Sequence, residues 1–183
     1  MNDTKVRFVF KITVIGDGEV GKTSLIKKFT KGSFKEDYIR TIGAQFSKYN
    51  EIIDKDEIVL FFWDVAGQDE FHFLRPSFFK DSRAAIIVYS LEENKLGRES
   101  FKHITNWHDD IKQFCGDIPI VVFGNKVDLV DEESLDEANI LKLVNKRKFL
   151  EYYRTSAKTG KGVNPAFHAI ITELHNKYKK KLL

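Results

Sequence analysis

A chain of 183 residues, 42% of them hydrophobic, is long enough to bury a core without disulfides or a structural metal. Its 30 basic and 27 acidic side chains leave a formal charge of +3, a mixed surface without the basic bias of a nucleic-acid binder. The one cysteine, Cys115, excludes an internal disulfide framework and fits a reducing, cytoplasmic compartment, and no apolar run approaches the roughly 18 to 20 residues of a membrane span. Residues 1–183 read as one domain with a short basic tail, and the first residues have no signal-peptide character.

The first predicted strand is Phe8 to Ile15, followed at once by Gly16, Asp17, Gly18, Glu19, Val20, Gly21, Lys22, Thr23 and Ser24, with a helix over 22–30. The spacing G-x-x-x-x-G-K-[ST] between strand and helix is that of a loop that cradles phosphates. Glycines let successive backbone N–H groups turn inward, and the helix N-terminus adds its positive end. Lys22 is placed to reach the β and γ phosphates, and the Thr23 hydroxyl to bind Mg²⁺. The competing reading is a glycine-rich turn that binds nothing; the Lys-Thr pair at the helix start speaks against it.

Phe46 to Ile53, then Asp54, Lys55 and Asp56, then Glu57 to Trp63, predict a hairpin that adds one antiparallel strand. Further strands are predicted at Ala84 to Tyr89, Ile120 to Phe123 and Phe149 to Tyr153. Phe101, Ile104, Trp107, Ile111 and Phe114 mark one helix stripe, with Cys115 at its end as a small apolar filler. Ser134 and Glu137 predict a capping box before Leu135, Ala138, Leu141 and Val144. Asn164 and Pro165 suit the N-cap and first position of a last helix whose stripe is Val163, Phe167, Ile170, Ile171, Leu174 and Tyr178. The alternation predicts a six-stranded, mostly parallel α/β sheet with one antiparallel strand and helices on both faces.

Two later motifs address the base. In "FGNKVD" (123–128), Asp128 can accept from the ring N–H and exocyclic amine of guanine, adjacent donors that adenine lacks. Lys126 can lay its stem along a base, and Asn125 can tie this loop to the phosphate loop. In "TSAK" (155–158), Ser156, Ala157 and Lys158 follow the next strand, where the N–H of Ala157 can donate to the guanine carbonyl. "NKVD" alone is a weak match that an Asn-Asp turn would also give.

With "GDGEVGKT", "TIG" (41–43), "WDVAGQ" (63–68), "NKVD" and "SAK" in this order, the chain resembles the small GTPases of the Ras superfamily over about residues 6 to 178, and is most similar to Rab-type members. That resemblance implies a P-loop NTPase fold and a switch that binds GTP or GDP with Mg²⁺ and slowly hydrolyses GTP. Lys22, Thr41 and Gln68 would be the catalytic residues, Gln68 orienting the attacking water. Thr23, Thr41 and Asp64 would hold the metal, Asp64 through a water. Phe34 would pack on the base, Tyr38 over the phosphates, and Gly67 would offer its N–H to the γ-phosphate. The implied partners are GTP-dependent effectors, an exchange factor and a GTPase-activating protein at the switch regions, acting on a monomer without nucleic acid. "FLRPSFF" is less Rab-like, and Val65 replaces a threonine common after that aspartate; its side chain is expected to pack.

Phe46, Trp63 and Phe78 occupy family positions of a hydrophobic surface between the switches, with ordinary core packing as the alternative. Arg40 is read as facing solvent or a partner rather than acting as a built-in arginine finger. His72, His103, His108, His168 and His175 show no metal-ligand spacing. The ending "HNKYKKKLL" lacks the cysteines of a Rab or Ras tail, which implies a truncated terminus or a protein that is not prenylated, with at most peripheral membrane contact. The rival readings are a GTP-binding scaffold with negligible hydrolysis, an ATP-using P-loop enzyme and a relic without nucleotide.

Overall fold

Six strands, β1 (Arg7–Ile15), β2 (Ala44–Ile53), β3 (Asp56–Val65), β4 (Ala84–Ser90), β5 (Ile120–Asn125) and β6 (Glu151–Arg154), form one sheet in the order β2-β3-β1-β4-β5-β6. The computed structural model describes residues 5–32, 43–67 and 73–182. β2 runs antiparallel to β3, and every other pairing is parallel. The strand order reverses at β1, so its carboxyl end is the switch point at which open α/β sheets bind ligands.

Alternating side chains of the inner strands feed two cores. Phe10, Ile12 and Val14 of β1 with Ile86 and Val88 of β4 pack against α1 (Lys22–Lys31) and α5 (Val163–Lys179). Ala85, Ile87 and Tyr89 of β4 pack instead with α2 (Arg75–Phe79), α3 (Lys95–Cys115) and α4 (Ala138–Arg147). Burial on both faces is why these strands read as continuous apolar runs rather than alternating ones. Phe167 joins the first core: its ring stacks on Phe29 at 4.4 Å and meets Phe62 and Phe123 edge-on at 5.2 and 5.3 Å. At about 0.5 to 1.5 kcal/mol per ring pair beyond area burial, these contacts hold α1, and so the loop that opens it, against the sheet.

Four local expectations are corrected. The hairpin turn is two residues, Asp54 and Lys55, both at positive φ as in a type I′ turn; Asp56 pairs with Ile53 and belongs to β3. No capping box forms. Ser134 Oγ donates to Asp131 O, α4 starts at Ala138, and Glu137 pairs with Arg154 at 3.1 Å. On α4, Ile140 is buried with Leu143 and Val144 packed beside it while Leu141 is 48% exposed, so of the expected stripe Val144 packs and Leu141 does not. The last helix opens two residues early, at Val163 behind a left-handed Gly162, where a Cβ would stand 2.0 Å from Arg154 O.

Asp56 is buried for a reason that lies 119 residues away: its Oδ2 meets His175 Nε2 at 2.8 Å and Lys179 Nζ at 2.8 Å, while Oδ1 accepts the Val6 N–H at 3.0 Å. The His175 hydrogen bond, then Lys179 and the Val6 N–H, hold its carboxyl well below the usual carboxylate range. A depressed carboxyl adds stability above its unfolded value of 3.8, and that contribution is lost as pH falls from there toward the folded value. Thermal unfolding from pH 7 to 2.5 is therefore expected to show Asp56→Asn melting roughly 5 °C or more below the parent at pH 7, with the gap closing below about pH 4. A gap that stays constant with pH would overturn this role.

Candidate functional site

The turn from β1 into α1 wraps the Lys22 ammonium. Its Nζ donates to Gly16 O at 2.9 Å and to Asp17 O at 2.6 Å, and the residue is 7% exposed. Burial pulls its pKa down to about 8, opposed by Asp64 and Asp17 and assisted by Arg75. A lysine desolvated this far is one whose charge a polyanion would restore. α1 starts without a side-chain cap, behind Gly21 at φ 99, so the N–H groups of its first turn, Lys22 to Ser24, face the loop rather than a capping side chain. A Cβ at Gly21 would lie 2.3 Å from Asn125 Nδ2, and no rotation of that amide leaves it bonded as it is.

The remaining loop residues sit around this cradle. Val20 is fully buried and its carbonyl accepts from Asn125 Nδ2 at 2.8 Å; Gly18 is half-buried and Glu19 is exposed at φ 65. Thr23 Oγ1 donates to Asp64 Oδ2, bringing the first turn of α1 to the carboxyl end of β3. A hydroxyl beside a carboxylate, next to a phosphate cradle, is a hard oxygen donor set suited to Mg²⁺. Gly67 packs directly on the loop: a Cβ there would lie 2.3 Å from Gly16 O and 2.4 Å from Asp17 C. Close approach of two backbones thus requires glycine here. Val65 is 1% exposed in the core, as expected.

At the carboxyl ends of β5 and β6 the base motifs form one knot. Asn125, 1% exposed, accepts at Oδ1 from Ala157 N at 3.2 Å and from Thr155 Oγ1 at 3.3 Å while its amide reaches the phosphate loop. A guanine carbonyl would share the Ala157 N–H with that amide oxygen. Ser156, fully buried, donates from Oγ to Asp128 Oδ1 at 2.5 Å; Asp128 is exposed on a 3₁₀ turn, Val127–Leu129, whose first residue is buried. Lys126, at φ 69, has its ammonium on Glu92 Oε2 at 2.5 Å, which fixes the direction of its stem; Lys158 is exposed on the turn that follows. The expectations for Phe34, Tyr38, Arg40, Thr41, Gln68 and His72 lie outside the described residues.

Several contacts escaped the sequence reading. Both carboxylate oxygens of Asp17 are taken by α3, Oδ2 by His103 Nδ1 at 2.7 Å and Oδ1 by Trp107 Nε1 at 2.8 Å. Trp107 shows in the sequence only as a member of an apolar stripe; no motif marks its polar edge. The aromatic surface is continuous: Phe46 is 62% exposed, and its ring lies 6.1 Å from Trp63, itself 6.2 Å from Phe78, with both partners half-buried. A cavity of about 580 Å³ opens at the other end of the sheet, between Lys112, Lys148 and Lys177, away from these motifs. Among the described residues no helix is long and apolar enough to cross a membrane.

Residues 11–176 match the Ras family. The chain is also 30% identical to the Ras-related protein Rab11A of Lotus japonicus over 182 residues, covering 99% of this chain and 78% of that protein.

Proposed function

The chain belongs to the Ras family, small GTPases that bind guanine nucleotides and hydrolyse GTP, and from that premise we propose a Mg²⁺-dependent switch regulating membrane traffic through GTP-dependent effectors. The observation that carries the site assignment is the convergence of the Lys22 cradle, the Thr23–Asp64 pair and the Asn125 knot at one sheet edge. In this reading the phosphates lie along the loop 16–24, whose N–H groups and Lys22 take their charge, and the base lies against Lys126, Asp128 and Ala157.

Hydrolysis then needs water to attack the γ-phosphorus while the bond from it to the bridging oxygen breaks, giving GDP and phosphate. Gln68 orients that water, and Lys22 neutralises charge on the leaving oxygens. Thr23, Thr41 and Asp64 are the residues that would hold Mg²⁺, which would supply further positive charge to the phosphates. Thr41 and Gly67 release when the γ-phosphate leaves, which changes the surface beside Phe46, Trp63 and Phe78 that effectors read. Such partners, with an exchange factor and an activating protein, would act on a monomer in the cytoplasm or at a membrane surface.

Gln68→Leu is expected to slow single-turnover GTP hydrolysis on the order of 10²-fold while leaving GTP affinity within about twofold. Phosphate release from preloaded protein checks it, and equal rates would remove Gln68 from the mechanism.

A further inference from the structure

We propose that Trp107 is a positioning residue with two separate duties: its indole N–H anchors the phosphate loop and its ring face supports α2 through Arg75. This rests on the nucleotide reading above and adds α3, which carries none of the motifs, to the machinery that sets the rates.

Asp17 is the junction. Its main chain accepts Lys22 Nζ at 2.6 Å and lies under Gly67, while its carboxylate is held by His103 and Trp107, which stand four residues apart on the same face of α3. A carboxylate in a loop built for polyphosphate would repel its ligand. Held by two ring N atoms of α3, it points away from the cradle and fixes the loop in place. Trp107 is only 4% exposed, and its N–H is directed at one oxygen of the part-buried Asp17 carboxylate.

The opposite side of the same residue faces α2. The Arg75 guanidinium lies 4.1 Å from the centre of the Trp107 ring, and its Nη1 bonds Asp110 Oδ2 at 2.9 Å, one turn further along α3. Arg75 is the first residue of α2, seven positions after Gln68 in the sequence, and its side chain is 11% exposed. The ring therefore holds the start of α2, while the N–H sets where the phosphate loop sits.

Two variants separate the duties. Trp107→Phe keeps a ring under Arg75 and removes the N–H: release of fluorescent GDP should accelerate about tenfold, a larger change than that in single-turnover hydrolysis. Arg75→Gln removes the cation on the ring: hydrolysis should slow about tenfold, with GDP release within about twofold. Asp17→Ala should speed release as Trp107→Phe does, and the double variant should add nothing to either. Melting temperatures are read in parallel. Unchanged GDP release in Trp107→Phe overturns the proposal, as do changes of both rates in step with the melting temperature in both variants, the pattern of a merely structural residue. If the parent protein retains no guanine nucleotide, the functional reading and this inference fall together; retention with equal release rates sinks only the inference.

Discussion

Lys22→Met is expected to lower GDP and GTP affinity by about 10² to 10³-fold while the protein stays folded. The ammonium is buried and its pKa is pulled down to about 8, so the loop already holds a cation that burial disfavours. The cation is bonded to two carbonyls, Gly16 O and Asp17 O, with the Asp64 and Asp17 carboxylates nearby favouring its charge. A polyphosphate would replace these neutral acceptors with anionic oxygens, and hydrogen bonds to charged partners are worth about 1.5 to 3 kcal/mol each. Two such bonds account for the expected loss, since each 1.4 kcal/mol is about tenfold. Methionine keeps the length and apolar packing of the stem, which separates lost charge from a collapsed loop. Equilibrium titration with fluorescent GDP, alongside circular dichroism, gives the answer. A folded variant of unchanged affinity would remove Lys22, and with it the phosphate loop, from the binding site.

Asp128→Asn should erase most of the preference for guanine: GTP affinity falls about 10² to 10³-fold and ATP affinity stays where it was. A site built around specific hydrogen bonds rejects ligands that cannot make them because its own groups are left unpaired. The amide oxygen of asparagine can still accept from Ser156 Oγ, the contact that orients the turn in the parent, so the local structure is preserved. Its NH₂, however, presents a donor toward guanine donors where the carboxylate presented an acceptor. Competition of GTP and ATP against fluorescent GDP reads both affinities. Equal competition by ATP in the parent protein would overturn the assignment of this edge to guanine.

Much of this was legible before any coordinates. The phosphate loop and the base motifs are contiguous stretches whose chemistry is carried by chain neighbours. Gly21, Lys22 and Thr23 must follow one another for a helix start to face a phosphate, and Asn125 and Asp128 must share a turn to reach both loop and base. The strands β1, β4 and β5 were legible because burial on both faces leaves unbroken apolar runs. The boundaries were not. Ser134 and Glu137 have capping-box spacing, yet Glu137 is engaged by Arg154 and Ser134 by a local turn, so a tertiary ion pair displaced the local cap. The start of α5 moved for a similar reason: the chain passes so close to Arg154 that the residue there has to be glycine.

By itself, then, the sequence determined the order of the elements, the glycine-rich turn that opens a helix with Lys22 and Thr23, and the placing of Asp64 and Asp128 at the carboxyl edge of the sheet. These depend on residue type and spacing within a few positions of the chain. Only the tertiary structure decided which polar groups would meet across the core. In the sequence His103 and His175 show only a lack of metal-ligand spacing and Trp107 only a place in an apolar stripe; the fold brings Asp56 to His175 across 119 residues, and Asp17 to His103 and Trp107 across 86 and 90. The physical reason is common to both cases. A buried polar group is stable only with a partner, and packing of distant elements chooses that partner rather than sequence spacing.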